Sequence, residues 1–151
     1  MAKAKVGTRA PAFELAGTGS RSYRLSDYYG TGVVLAFYPG DFTPVCTKQF
    51  CSYRDDGDRL EALGVPLLGI SPQSVESHER FAAEQGVNVP LLSDGDKQVA
   101  RAYGVLGPGG LFRRSIFLVD ADGIIRYRHV SLLGLRFQDV ADIERAVELV
   151  R

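Results

Sequence analysis

Six consecutive apolar residues, Val33-Val34-Leu35-Ala36-Phe37-Tyr38, dominate the hydrophobic pattern of this chain. A short unbroken run of this kind reads as a strand buried on both faces, as in a parallel sheet. Pro39 and Gly40 stop it. Thr43 and Pro44 then start a helix: Thr at the N-cap can accept a backbone N–H, and Pro at the first helical position sacrifices no needed donor. The helix is expected over residues 44–63, with Phe50, Tyr53, Gly57 and Leu60 near one face. Gly57 weakens it by about 1 kcal/mol relative to Ala unless the backbone packs closely there. A second apolar strand is predicted over 65–70, followed by a Ser71-Pro72-Gln73-Ser74 turn. A helix over about 74–85 then carries Val75, His78, Phe81 and Ala82 on one side. Pro90-Leu91-Leu92 begins a short strand, and 96–103 a short helix. Residues 115–119 and 124–130 read as a hairpin about Asp120-Ala121-Asp122-Gly123. Val140, Ile143, Val147 and Val150 give a last helix its apolar stripe. Ahead of the core strand, 8–16 and 20–25 read as edge strands, an assignment that suits Pro11.

This order of elements predicts an α/β fold, a central sheet covered by helices on both faces. With no repeat, low-complexity tract or linker, 151 residues suit a single domain over 1–151. Gly107-Pro108-Gly109-Gly110 lacks the Lys-Ser/Thr of a phosphate-binding loop and opens no predicted helix, so it reads as a flexible connection. Lys+Arg and Asp+Glu both number 18, which argues against a basic nucleic-acid surface or an acidic disordered tail. No apolar run approaches the ~20 residues that span a bilayer, so no membrane partner is expected. Met1-Ala2-Lys3-Ala4-Lys5 leads into polar, Pro-containing sequence rather than a signal-peptide core, and the expected location is the cytoplasm.

In a reducing compartment the two cysteines, Cys46 and Cys51, are better read as catalytic or metal-binding than as a permanent cross-link. Together with His78 and His129 they form no Cys-x-x-Cys or His-x-x-x-His pair, so neither a metal nor another cofactor is expected. Cys46 falls in the first turn of the predicted helix. Free N–H groups and the positive end of the helix dipole favour a thiolate there. A strand-to-helix junction also lies at the carboxyl end of a strand, where α/β sheets place their chemistry. On these grounds Cys46 is a candidate nucleophile, the alternative being a buried structural cysteine.

The segment Phe37-Tyr38-Pro39-Gly40-Asp41-Phe42-Thr43-Pro44-Val45-Cys46-Thr47 resembles the active-site segment of peroxiredoxins, whose core is Pro-x-x-x-Thr-x-x-Cys. Cys51 and the following Tyr53-Arg54-Asp55 resemble the bacterioferritin-comigratory (Q-type) branch, and Pro11-Ala12-Phe13-Glu14-Leu15 is similar to the family's opening. The resemblance implies a thioredoxin-like fold with a central mixed sheet. It implies a thiol-dependent peroxidase acting on hydrogen peroxide and organic hydroperoxides. Cys46 would become a sulfenic acid, Cys51 would resolve it to a disulfide, and thioredoxin or a similar dithiol protein would restore both thiols. Thr43 would place a hydroxyl beside sulfur and substrate, and Pro39 would shield the sulfur. Thr43, Val45, Cys46 and Arg114 would meet the substrate.

Arg113 and Arg114 should point to opposite sides of their strand. The family's Arg stands three residues before the Phe of Phe117-Leu118-Val119-Asp120, which selects Arg114. Gln49 departs from the family, which often has Glu there to contact this Arg; its amide can accept a hydrogen bond but supplies no charge. His78 and His129 are expected to be structural or solvated. A one-Cys peroxidase, in which Cys51 is incidental, and a redox-sensing or chaperone-like binding protein are the alternatives. Whether the protein is a monomer or a homodimer stays open. On one helix, residues five apart are offset by ~140° and ~7.5 Å, whereas a disulfide needs Cα atoms about 4.4–6.8 Å apart. A Cys46–Cys51 bond therefore requires residues 46–53 to unwind, with Gly57 a natural place to stop.

Overall fold

The computed structural model describes residues 4–131 and 137–150. Among these, the strands are β1 (Glu14–Gly17), β2 (Arg21–Arg24), β3 (Val33–Phe37), β4 (Leu67–Ser71), β5 (Leu91–Ser93), β6 (Ser115–Val119) and β7 (Ile125–Val130). The helices are α1 (Pro44–Asp55), α2 (Gly57–Ala62), α3 (Val75–Gln85), α4 (Gln98–Ala102) and α5 (Val140–Leu149). The strands make one sheet in the order β2-β1-β5-β4-β3-β6-β7.

The apolar run of β3 lies in the interior of the sheet, and each of its residues is buried. It pairs in parallel with β4, Phe37 opposite Ile70, and in antiparallel with β6, Phe37 opposite Ser115. β4 pairs in parallel with β5, Ile70 opposite Leu92. The sheet is therefore mixed. The carboxyl ends of β3, β4 and β5 and the amino end of β6 share one edge, and the site lies along it.

Side chains alternate between the faces of a strand, so β3 serves two cores. Val33, Leu35 and Phe37 join Phe13, Leu25, Tyr103 and Phe117 on one face. Val34, Ala36 and Tyr38 join Cys46, Phe50, Tyr53 and Phe81 on the other, together with Val140, Ile143 and Val147 of α5. Ile116 and Leu118 of β6 belong to this second face.

Several expectations need correcting. The helix predicted over 44–63 is two helices, because Asp56 leaves helical geometry with ψ of 26°. A Cβ at Gly57 would meet nothing within 4 Å, so no close packing offsets its conformational cost. α2 has no buried residue to hold it in line with α1. Only β2 of the two N-terminal strands is an edge; β1 lies between β2 and β5. The 107–110 loop is tied down: it forms a 3₁₀ turn, Gly107 N–H donates to the Leu111 carbonyl and Lys97 Nζ to the Gly110 carbonyl. Val150 lies past the end of α5 and is exposed, so the stripe ends at Val147.

Candidate active site

Thr43 is the N-cap of α1 and Pro44 its first residue, as the sequence predicts, but the hydroxyl does not cap. Thr43 Oγ1 instead donates to the Gly40 carbonyl at 3.1 Å, closing the turn that leads out of β3. Only the Thr43 carbonyl serves the helix, accepting from Thr47 N–H. The N–H groups of Val45 and Cys46 therefore have neither a side-chain cap nor an intrahelical acceptor. They are fixed donors at the positive end of the helix.

Cys46 sits in this first turn and is fully buried, against Tyr38 and Phe50. Arg114 Nη2 donates to its sulfur at 3.3 Å, and Arg114 Nη1 to Gln49 Oε1 at 2.5 Å. Register explains why this Arg arrives. Ile116 and Leu118 face the core that holds Cys46, and Arg114 shares their parity just ahead of β6. Arg113 has the opposite parity and packs along Gly107. The amide of Gln49 is itself held: its Nε2 donates to Tyr53 Oη at 2.9 Å, and Tyr53 donates to the Gln138 carbonyl at 2.7 Å. Burial pushes the Tyr53 phenol well above the usual tyrosine range, so it remains a neutral donor. The neutral Gln49 thus orients the guanidinium from a fixed position without adding a charge of its own.

Pro39 and Val45 are half-buried beside the turn, and Thr43 is exposed. Cys51 lies in α1 and directs its sulfur away, toward Gln85 Oε1 of α3 at 3.5 Å. Both cysteines are free. Fold and register thus bring Cys46, Gln49 and Arg114 together, leave Thr43 in the turn that opens α1, and leave Cys51 apart. Tyr53 and Gln138 were missed as partners; the i,i+4 spacing of Gln49 and Tyr53 was the available signal. Among the described residues, no group of three or more His, Cys, Asp and Glu side chains is placed to hold a metal ion. No helix there is long and apolar enough to cross a membrane. The arrangement offers a buried thiol beside a cation at a helix start, which suits attack on an electrophilic acceptor.

Residues 6–128 match the AhpC/TSA family. The chain is similar to peroxiredoxin Bcp of Escherichia coli, 41% identical over 131 residues that cover 82% of this chain and 83% of that one. It superposes on peroxidoxin BcpB from Mycobacterium tuberculosis with a TM-score of 0.82 at 32% identity, covering 97% of this chain and 96% of the other. It superposes on the bacterioferritin comigratory protein of Xanthomonas campestris, a protein with alkyl peroxide reduction activity, with a TM-score of 0.85 at 27% identity, covering 96% and 98%. The fold is the thioredoxin-like one that the sequence predicted.

Proposed function

The chain belongs to the AhpC/TSA family and is a peroxiredoxin, a thiol peroxidase, and from that premise we propose that Cys46 is the thiol that attacks the peroxide. The observation that carries this reading is the buried contact between Arg114 Nη2 and Cys46 Sγ. The fixed guanidinium stands beside the attacking sulfur and stays in place for the negative charge that moves onto the departing oxygen. The thiolate attacks one peroxide oxygen, the O–O bond breaks, and the other oxygen takes a proton to leave as alcohol or water. Cys46 becomes a sulfenic acid. The helix-start N–H groups of Val45 and Cys46 and the hydroxyl of Thr43 hold the O–O bond in line with sulfur, and Pro39 limits water at the sulfur. The substrates are hydrogen peroxide and organic hydroperoxides, a range supported by the alkyl peroxide activity of the Xanthomonas relative.

Cys51 then displaces water from the sulfenic acid to form a disulfide, which a dithiol protein such as thioredoxin reduces by exchange. Since Cys51 points to Gln85, this step needs α1 to open. Peroxide consumption by wild type, Cys46→Ser and Cys51→Ser, with thioredoxin as reductant, tests the scheme. Cys46→Ser should abolish turnover. Cys51→Ser should consume one equivalent of peroxide and then stall. Activity without Cys46 would remove it as nucleophile, and full cycling without Cys51 would leave a one-Cys peroxidase.

A further inference from the structure

His78 of α3 is fully buried, and so is the side chain of Asp41 from the turn after β3. His78 Nε2 lies 3.0 Å from the Leu92 carbonyl of β5, which can only accept, so this nitrogen carries a proton. Nδ1 lies 2.7 Å from Asp41 Oδ2. That carboxyl already accepts from two hydroxyls, Ser77 on Oδ2 and Tyr38 on Oδ1, each at 2.8 Å. Both of its oxygens act as acceptors in these bonds, which leaves Nδ1 as the third donor. The other groups facing the ring are Ser71 Oγ of β4 and Tyr38 Oη, just past the end of β3, each at 3.4 Å. Burial and the neighbouring Asp41 hold the Tyr38 phenol well above the usual range, so it too stays neutral.

We infer that His78 stands as an imidazolium, doubly protonated, and that its buried ion pair with Asp41 positions the active-site turn, residues 39–43. Asp41 lies between Gly40, whose carbonyl receives the Thr43 hydroxyl, and Phe42, which adopts φ of 65°. A bulky residue holds that left-handed conformation only where its surroundings impose it. Here α3 and the turn ahead of it supply the restraints. His78 and Ser77 hold the Asp41 carboxylate, Gln73 Oε1 accepts Asp41 N–H at 2.8 Å, and Phe81 packs edge-on to Phe42. The pair thus links α3 to the place from which Thr43 reaches the substrate. His78 touches neither sulfur nor peroxide in this scheme; it is a positioning residue. The kinetic consequence rests on the proposed role of Cys46, whereas the protonation state does not.

The first test is the ¹⁵N spectrum of histidine-labelled, reduced protein at pH 7.5, with His78 assigned against His129→Gln. Both ring nitrogens of His78 should be protonated; a singly protonated ring overturns the inference. The second uses Asp41→Asn, nearly isosteric but uncharged, whose single amide oxygen cannot accept the Tyr38 donor together with those of Ser77 and His78. Its His78 ring should lose one proton. Its second-order rate with hydrogen peroxide should fall at least roughly tenfold through misplacement of the turn, while iodoacetamide alkylation of Cys46, which needs no aligned O–O bond, should stay within about twofold. An unchanged peroxide rate, or equal losses in both reactions, overturns the positioning role. Should the variant not fold, the wild-type spectrum still decides whether the ion pair exists.

Discussion

Arg114 donates to the sulfur of Cys46 and to the amide oxygen of Gln49. Replacing it by Ala would remove the cation beside the thiol and leave a buried amide oxygen without that donor, which is costly in itself. The rate of Cys46 with hydrogen peroxide should fall by roughly 10²-fold, as when one preorganised donor is taken from a developing charge. Arg113→Ala, on the other face of the strand, should change it little. Stopped-flow measurement of the two variants decides between them, and equal losses would refute the placement of Arg114 at the chemistry. The sequence foresaw that a Gln at position 49 could accept from this Arg. It did not foresee that Tyr53 and Gln138 would hold that Gln in turn, because Gln138 is far away along the chain.

At the scale of elements, α1 carries both cysteines in one unbroken helix, with Cys46 and Cys51 on different sides. Forming a bond between them must melt the helix. What resists melting is visible: Phe50 and Tyr53 are fully buried, and withdrawing each costs about 1.5–3 kcal/mol. Gln85 adds two clasps, its amide oxygen accepting from Cys51 and its carbonyl from Arg54 Nη1 at 2.6 Å. What permits it is the break at Asp56, beyond which α2 buries no residue. Hydrogen exchange of the amides from Thr47 to Arg54 should therefore be slow in the reduced protein and much faster after one equivalent of peroxide. Unchanged protection together with a Cys46–Cys51 bond found by mass spectrometry would contradict the intact helix.

Across the whole molecule, α1 is seated on the sheet through Gly69 at the middle of β4. A Cβ there would stand 2.8 Å from Leu91 Cδ2 and 3.0 Å from two ring carbons of Phe50. Gly69→Ala should thus force Phe50 outward and destabilise the protein by about 1–3 kcal/mol, the usual cost of overpacking a filled core. Urea unfolding would show it as a lower midpoint. A midpoint equal to wild type would mean that α1 shifts at no cost, which the tilted contact of Phe50 on Tyr38, at 4.6 Å between ring centres, argues against.

Local preferences decided much of this protein. The apolar run of β3, the Thr-Pro helix start, the caps of α3 and α5 and the position of Cys46 in a first turn all follow from interactions within a few residues, and such interactions are written in sequence order. The helix break at Asp56 was obscured because an amphipathic pattern continues through it. Thr43 is the instructive exception: its type predicts a capping hydroxyl, yet the turn after β3 offers the Gly40 carbonyl, and the hydroxyl takes that acceptor. Which of two adjacent arginines meets the sulfur was selected by the family resemblance, since strand alternation alone could not say which side holds Cys46. That side depends on the parity of β6 against β3, and strand register is set by side chains distant in sequence that share one core. The same holds for His78 and Asp41, which only the packing of α3 against the end of β3 brings within 2.7 Å.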